Sequence, residues 1–117
     1  MRVEDLEVYR RLVDLVIRVH DLTMTFPKFE VYELGSQLRR SSNSVAANLA
    51  EGFGNKHTNI YTECISRAQG ETRETKHHLR IAFNKGYVPK KDFIQFYNDF
   101  EVCSRMLFRL EQALERL

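Results

Sequence analysis

Apolar positions recur along most of this chain at steps of three and four, the spacing of a helix that buries one side. Strict alternation of the kind a half-buried strand needs is missing, and no Asn-Gly or Asp-Gly hairpin turn occurs. The breakers cluster at three places: Pro27, the Gly52–Gly54 pair, and the Gly86–Pro89 junction. They divide the chain into four long stretches, roughly residues 4–25, 34–52, 57–85 and 89–116. The last has the clearest period. Phe93, Phe96, Phe100, Cys103, Leu107, Leu110, Leu114 and Leu117 form one seam. At 1.5 Å per residue this predicts a helix ~40 Å long, with Pro89 in its first turn, where a missing N–H costs nothing.

The first stretch has two adjoining apolar faces, Leu6, Tyr9, Val13, Val16, Ile17 and His20 on one and Val8, Leu12, Leu15, Val19 and Leu22 on the other. An arc that wide suits either a central helix of a bundle or a helix with one face to the core and one to another subunit. In the second stretch Leu34, Leu38, Ser42, Val45 and Leu49 make the core stripe, and Gly52 reads as the helix stop. In the third, Ile60, Tyr61, Cys64, Ile65, Ala68, Thr72, Thr75, Leu79, Ala82 and Phe83 keep helical spacing, with Thr72 and Thr75 weakening the stripe midway. Gly70 lies inside that helix at a cost of ~1 kcal/mol, which points to a close packing contact there. Four helices with short connections pack most simply as an all-α, up-down-up-down four-helix bundle over residues 1–117.

Length and composition narrow the function classes. At 117 residues the chain makes one domain, too short for a barrel enzyme or a two-domain nucleotide enzyme. No apolar run approaches the ~18 residues of a membrane span, and no basic-then-apolar leader opens the chain. Cys64 and Cys103 are too few for a disulfide framework, so a reducing, cytoplasmic setting is expected. The net charge of +2 conceals an uneven distribution. Residues 64–91 hold seven Lys or Arg against two acids, whereas residues 1–36 and 92–117 each carry a net −2.

The run from Tyr32 through Ser36-Gln37-Leu38-Arg39-Arg40 to Asn48-Leu49-Ala50-Glu51-Gly52 resembles the signature of the four-helix bundle proteins encoded in intervening sequences of bacterial 23S ribosomal RNA genes. Leu6-Glu7-Val8-Tyr9, Phe26-Pro27, Ala68 with Gly70 and Glu74, and Gly86-Tyr87 extend the resemblance over nearly the whole chain. The chain departs from the family pattern at Glu71-Thr72 and at Lys76. The resemblance implies a bundle that assembles as a ring-like homopentamer and has no known catalytic activity. The same family includes the accessory variability protein of diversity-generating retroelements. For that branch the resemblance implies binding of nucleic acid and of a reverse transcriptase.

Within the basic segment Arg73, Lys76, His77 and Arg80 share one helical face, and Arg67, Lys85, Lys90 and Lys91 extend the basic island. Such a face neutralises phosphates and releases counterions, giving salt-dependent, sequence-tolerant binding of RNA, DNA or an RNA–DNA hybrid. An ordinary solvated face paired with Glu71 and Glu74 fits the same residues. Tyr87 stands beside the junction as a base-stacking candidate. Arg39, Arg40, Asn48, Glu51 and Glu74 suit a polar network in which Arg39 or Arg40 pairs with Glu51 or Glu74 across helices. A nucleic-acid site on the second helix is the other reading of these residues. His77 and His78 point ~100° apart and cannot chelate one ion from a single face. No metal site, cofactor or catalytic motif is expected. Three functions therefore stand to be compared: a non-enzymatic, self-associating nucleic-acid binder using Arg73, Lys76, Arg80, Lys85, Lys90 and Lys91; a scaffold that docks a protein such as a reverse transcriptase; and an enzyme with a site in the bundle core.

Overall fold

The computed structural model describes residues 1–117, and they are all-helical. A 3-10 turn at Val3–Asp5 leads into α1 (Glu7–Thr23), a one-turn α2 (Lys28–Val31), α3 (Leu34–Gly52), α4 (Thr58–Asn84) and α5 (Lys90–Glu115). The short α2 and the 3-10 turn were not legible in the periodicity, because neither is long enough to show one. The four long helices form a closed cycle in which α1 packs on α3 and α5, and α4 packs on α3 and α5. Every neighbouring pair is antiparallel. Arg40 meets Glu74 while Gly52 meets Cys64, and Lys76 meets Glu101 while Arg80 meets Phe93. The result is an elongated body of 47 × 23 × 21 Å. No helix is long and apolar enough to cross a membrane.

The core decides between the two faces of α1. Val8, Leu12, Leu15 and Val19 are buried, whereas Val13 is 39% and Ile17 57% exposed. The second face of the wide arc therefore remains on the outside of the chain, where with Tyr9, Val16, Ala46 and Ala47 it lines a shallow apolar groove between α1 and α3. On α5 the seam is buried from Phe93 to Leu107. Leu110 and Leu114 are only half-buried, and Leu117 is exposed, since α1 begins near the level of Cys103 and gives the last turns little cover.

Thr72 and Thr75 belong to the core rather than interrupting it, both essentially inaccessible. Their hydroxyls donate to the carbonyls of Ala68 and Glu71, and Thr75 Oγ1 lies 2.9 Å from Ser41 Oγ across the α3–α4 contact. Satisfied hydroxyls are tolerated in an interior; orphaned ones cost roughly 1–3 kcal/mol.

Of the two glycine expectations, one holds in position and one is corrected. Gly52 is the last residue of α3, as expected, but without left-handed backbone: it is buried there, and a Cβ would stand 2.5 Å from Cys64 Cβ. It is a glycine because two helices cross at that point. Gly70 answers to no close contact: a Cβ built there would meet only Arg73 Nη2, at 3.7 Å. Positive φ instead falls at Gly54 (70°), just past α3, and at Gly86 (81°), which ends α4. There the Tyr87 N–H donates to the Ala82 carbonyl and the Gly86 N–H to that of Phe83, the paired bonds of a Schellman cap.

Candidate nucleic-acid interface

Helix α4 presents Arg73, Lys76 and Arg80 toward α5, one below another at three- and four-residue spacing. Opposite them α5 offers an aromatic row. The Arg80 guanidinium lies 4.8 Å from the Phe93 ring centroid, and Lys76 Nζ 5.0 Å from that of Tyr97. Phe83 stacks on Phe93 at 4.7 Å, which holds that ring in place. Basic side chains thus lie over π faces along the α4–α5 groove, an arrangement favourable to the cation.

The six basic residues differ in how far their charge is free. Lys76 is bound to Glu101, and its side chain is mostly covered. Lys85 donates to Glu30 Oε2 at 2.9 Å, and Tyr87 donates to the same oxygen at 3.0 Å. These two hydrogen bonds, with that from Lys85 foremost, hold the Glu30 carboxyl below the usual carboxylate range although its burial pushes the other way. The group pins α2 to the α4–α5 turn. Tyr87, with its ring 5.5 Å from Phe26, is half-buried in that packing. Arg80 is exposed but stacked. Arg73, Lys90 and Lys91 are exposed and have no carboxylate partner within salt-bridge distance. Lys90 and Lys91 occupy the first turn of α5, where the helix dipole disfavours cations.

The residues of the anticipated polar network go to separate places. Arg40 bonds Glu74 and lies 3.9 Å from Glu71, tying α3 to α4. Arg39 does not pair with an acid. It donates to Thr23 Oγ1 and to the Val31 carbonyl, each at 2.8 Å, and so clamps the end of α1 and α2 onto α3. Asn48 bonds back to the Ser44 carbonyl within its own helix, and Glu51 is exposed without a partner. His78 turns to Glu74 at 3.3 Å, and no three metal-ligating side chains come together.

The fold also unites residues far apart in the chain. Arg105 and Phe108 of α5 border an open cleft that Arg73 borders from α4. Gln69 and Ser104 fasten its floor: Gln69 Nε2 donates to the Ser104 carbonyl, and the Ser104 hydroxyl donates to Gln69 Oε1, both at 2.8 Å. Arg105 and Phe108 flank the α5 seam at a three-residue spacing; the sequence marks Phe108, with Tyr97 and Met106, as a large apolar residue off the seam, but not that Arg73 and Arg105 stand beside it.

An antiparallel bundle of four long helices defines the class of this molecule. The chain belongs to the 23S rRNA-intervening sequence protein family, whose model matches residues 4–109. Its fold is similar to that of a protein of unknown function from the S23 ribosomal protein family of Bacteroides thetaiotaomicron. The two are 21% identical, with a TM-score of 0.78, and the match covers 89% of this chain and 97% of that one. None of the curated proteins matches this chain.

Proposed function

We propose that this protein is a self-associating, non-enzymatic bundle that binds nucleic acid through the basic surface of α4 and the α4–α5 turn. The observation that carries the reading is the set Arg73, Lys90 and Lys91, exposed and unpaired in a segment with five net positive charges. Ion pairs account for Lys76 and Lys85, so the binding surface is smaller than the run of charge in the sequence. The apolar α1–α3 groove supports self-association, since an exposed apolar face on a small bundle is stabilised by a partner. The family resemblance supports a pentamer, in which the basic surface recurs five times and weak contacts add as avidity.

Fluorescence anisotropy with a structured RNA, titrated at several salt concentrations, tests the reading. Binding is expected to weaken steeply with salt, with the logarithmic slope falling by ~0.7–0.9 for each phosphate contact removed. The R73E/K90E/K91E variant is expected to lose binding. No binding by the native protein at low salt would overturn the proposal. Sedimentation equilibrium tests the assembly, and a monomer at micromolar concentration would remove the avidity.

A second reading, a scaffold docking a protein such as a reverse transcriptase, is favoured by that same apolar groove. Under it, charge reversal at Arg73 and Arg80 leaves partner capture intact.

A further inference from the structure

We infer that the cleft between α4 and α5 at Arg73, Arg105 and Phe108 takes one nucleotide unit of single-stranded nucleic acid, with phosphate on the two guanidiniums and base on the phenyl ring. This rests on the nucleic-acid reading above and names the kind of strand bound.

Three observations carry it. The cleft is an open, mostly polar surface hollow of about 440 Å³. Arg73 and Arg105 enter it from different helices, and neither has a carboxylate within salt-bridge distance, even though Glu111 borders the same cleft. Two like charges bordering one opening repel each other, and an anion placed between them relieves that repulsion. Arginine suits phosphate because its planar fork donates two parallel hydrogen bonds.

Beside this cationic pair Phe108 is 54% exposed, a large ring left in water at the mouth of the cleft. A base stacked on it would cover that ring without any demand on base identity. Ser66 and Glu111 complete the wall and offer a hydroxyl and a carboxylate to base edges or sugar hydroxyls. A duplex keeps its bases stacked inside, so this combination of exposed ring and paired guanidiniums selects an unpaired strand.

The test compares the full-length native protein with F108L and R73Q/R105Q. Three probes are used: a fluorescein-labelled oligouridylate of about a dozen nucleotides, an RNA duplex of the same length, and uridine monophosphate. F108L keeps an apolar side chain of similar bulk, and circular dichroism checks that each variant folds. F108L is expected to weaken oligouridylate binding about fivefold or more while leaving the duplex within twofold. R73Q/R105Q is expected to weaken oligouridylate at least tenfold and to flatten its salt slope. Native-like oligouridylate affinity in both variants, with binding still abolished by R73E/K90E/K91E, would overturn the cleft and leave the broader reading standing. No binding of any nucleic acid by the native protein would overturn both. Uridine monophosphate binding as tight as the oligomer's would overturn the assignment to a strand in favour of a free nucleotide.

Discussion

Replacing Gly52 by alanine adds one methyl group where α3 presses against Cys64 of α4. Helix propensity alone favours the change by up to ~1 kcal/mol. The structure opposes it: the new Cβ would lie 2.5 Å from Cys64 Cβ, 2.9 Å from its Sγ and 3.4 Å from the Tyr61 carbonyl oxygen. Carbon atoms rest at about 3.5–4.0 Å, so α3 and α4 must part locally by ~1 Å. That separation loosens the packing around Leu49, Tyr61 and Ile65, which are all buried. Overpacking of this kind costs ~1–3 kcal/mol. Propensity is weak at a terminal turn, so the net loss is expected at about 1–2 kcal/mol, a melting midpoint lower by roughly 4–8 °C. Gly70 supplies the internal control, since its Cβ would meet only Arg73 Nη2 at 3.7 Å. G70A should therefore raise stability by ~0.5–1 kcal/mol. Urea denaturation of both variants at one fixed protein concentration checks the pair. A G52A protein as stable as the native one would refute the close-crossing account, and a strongly destabilised G70A would refute the open-space account.

Three further outcomes are expected. A double-mutant cycle with R40Q and E74Q should yield a coupling of ~0.2–1 kcal/mol, the range of partly exposed pairs, and it should shrink in high salt. Because the folded Glu30 carboxyl titrates below its ordinary range, its stabilising effect is present above that range and lost as pH falls through the folded value. Lys85 is shifted upward by the same bond, so its share is present below the ordinary lysine value and lost at strongly alkaline pH. Urea midpoints measured from pH 3 to 7 should thus fall less toward acid in E30Q than in the native protein, and parallel curves would count against the Lys85–Glu30 link. Burial pushes the Cys103 thiol up to about 11, leaving roughly a thousandth of it as thiolate at pH 8. A chromogenic disulfide reagent should react slowly with the native protein and rapidly in denaturant, whereas fast native labelling of Cys103 would contradict its burial.

Much of the architecture is legible in the sequence. The seam from Phe93 to Leu107 and the stripe from Leu34 to Leu49 are buried as their spacing predicted, because a helix carries its own period into the sequence. The candidate interface was legible only as a concentration of charge. Sequence spacing places Arg73, Lys76 and Arg80 on one face, but it carries no information about Glu101 or Glu30, which neutralise Lys76 and Lys85 from other helices.

By itself, then, the sequence determined the helices, most of their buried positions and the family. The tertiary structure decided which side of α1 meets the core, why Gly52 has no side chain, and where Arg39 spends its donors. It also decided which cations remain free and that Arg73 stands with Arg105. The physical reason is one of range. Periodicity and capping are settled within a turn or two of the chain, whereas ion pairing and close approach depend on residues that only the packing of separate helices brings within a few ångströms.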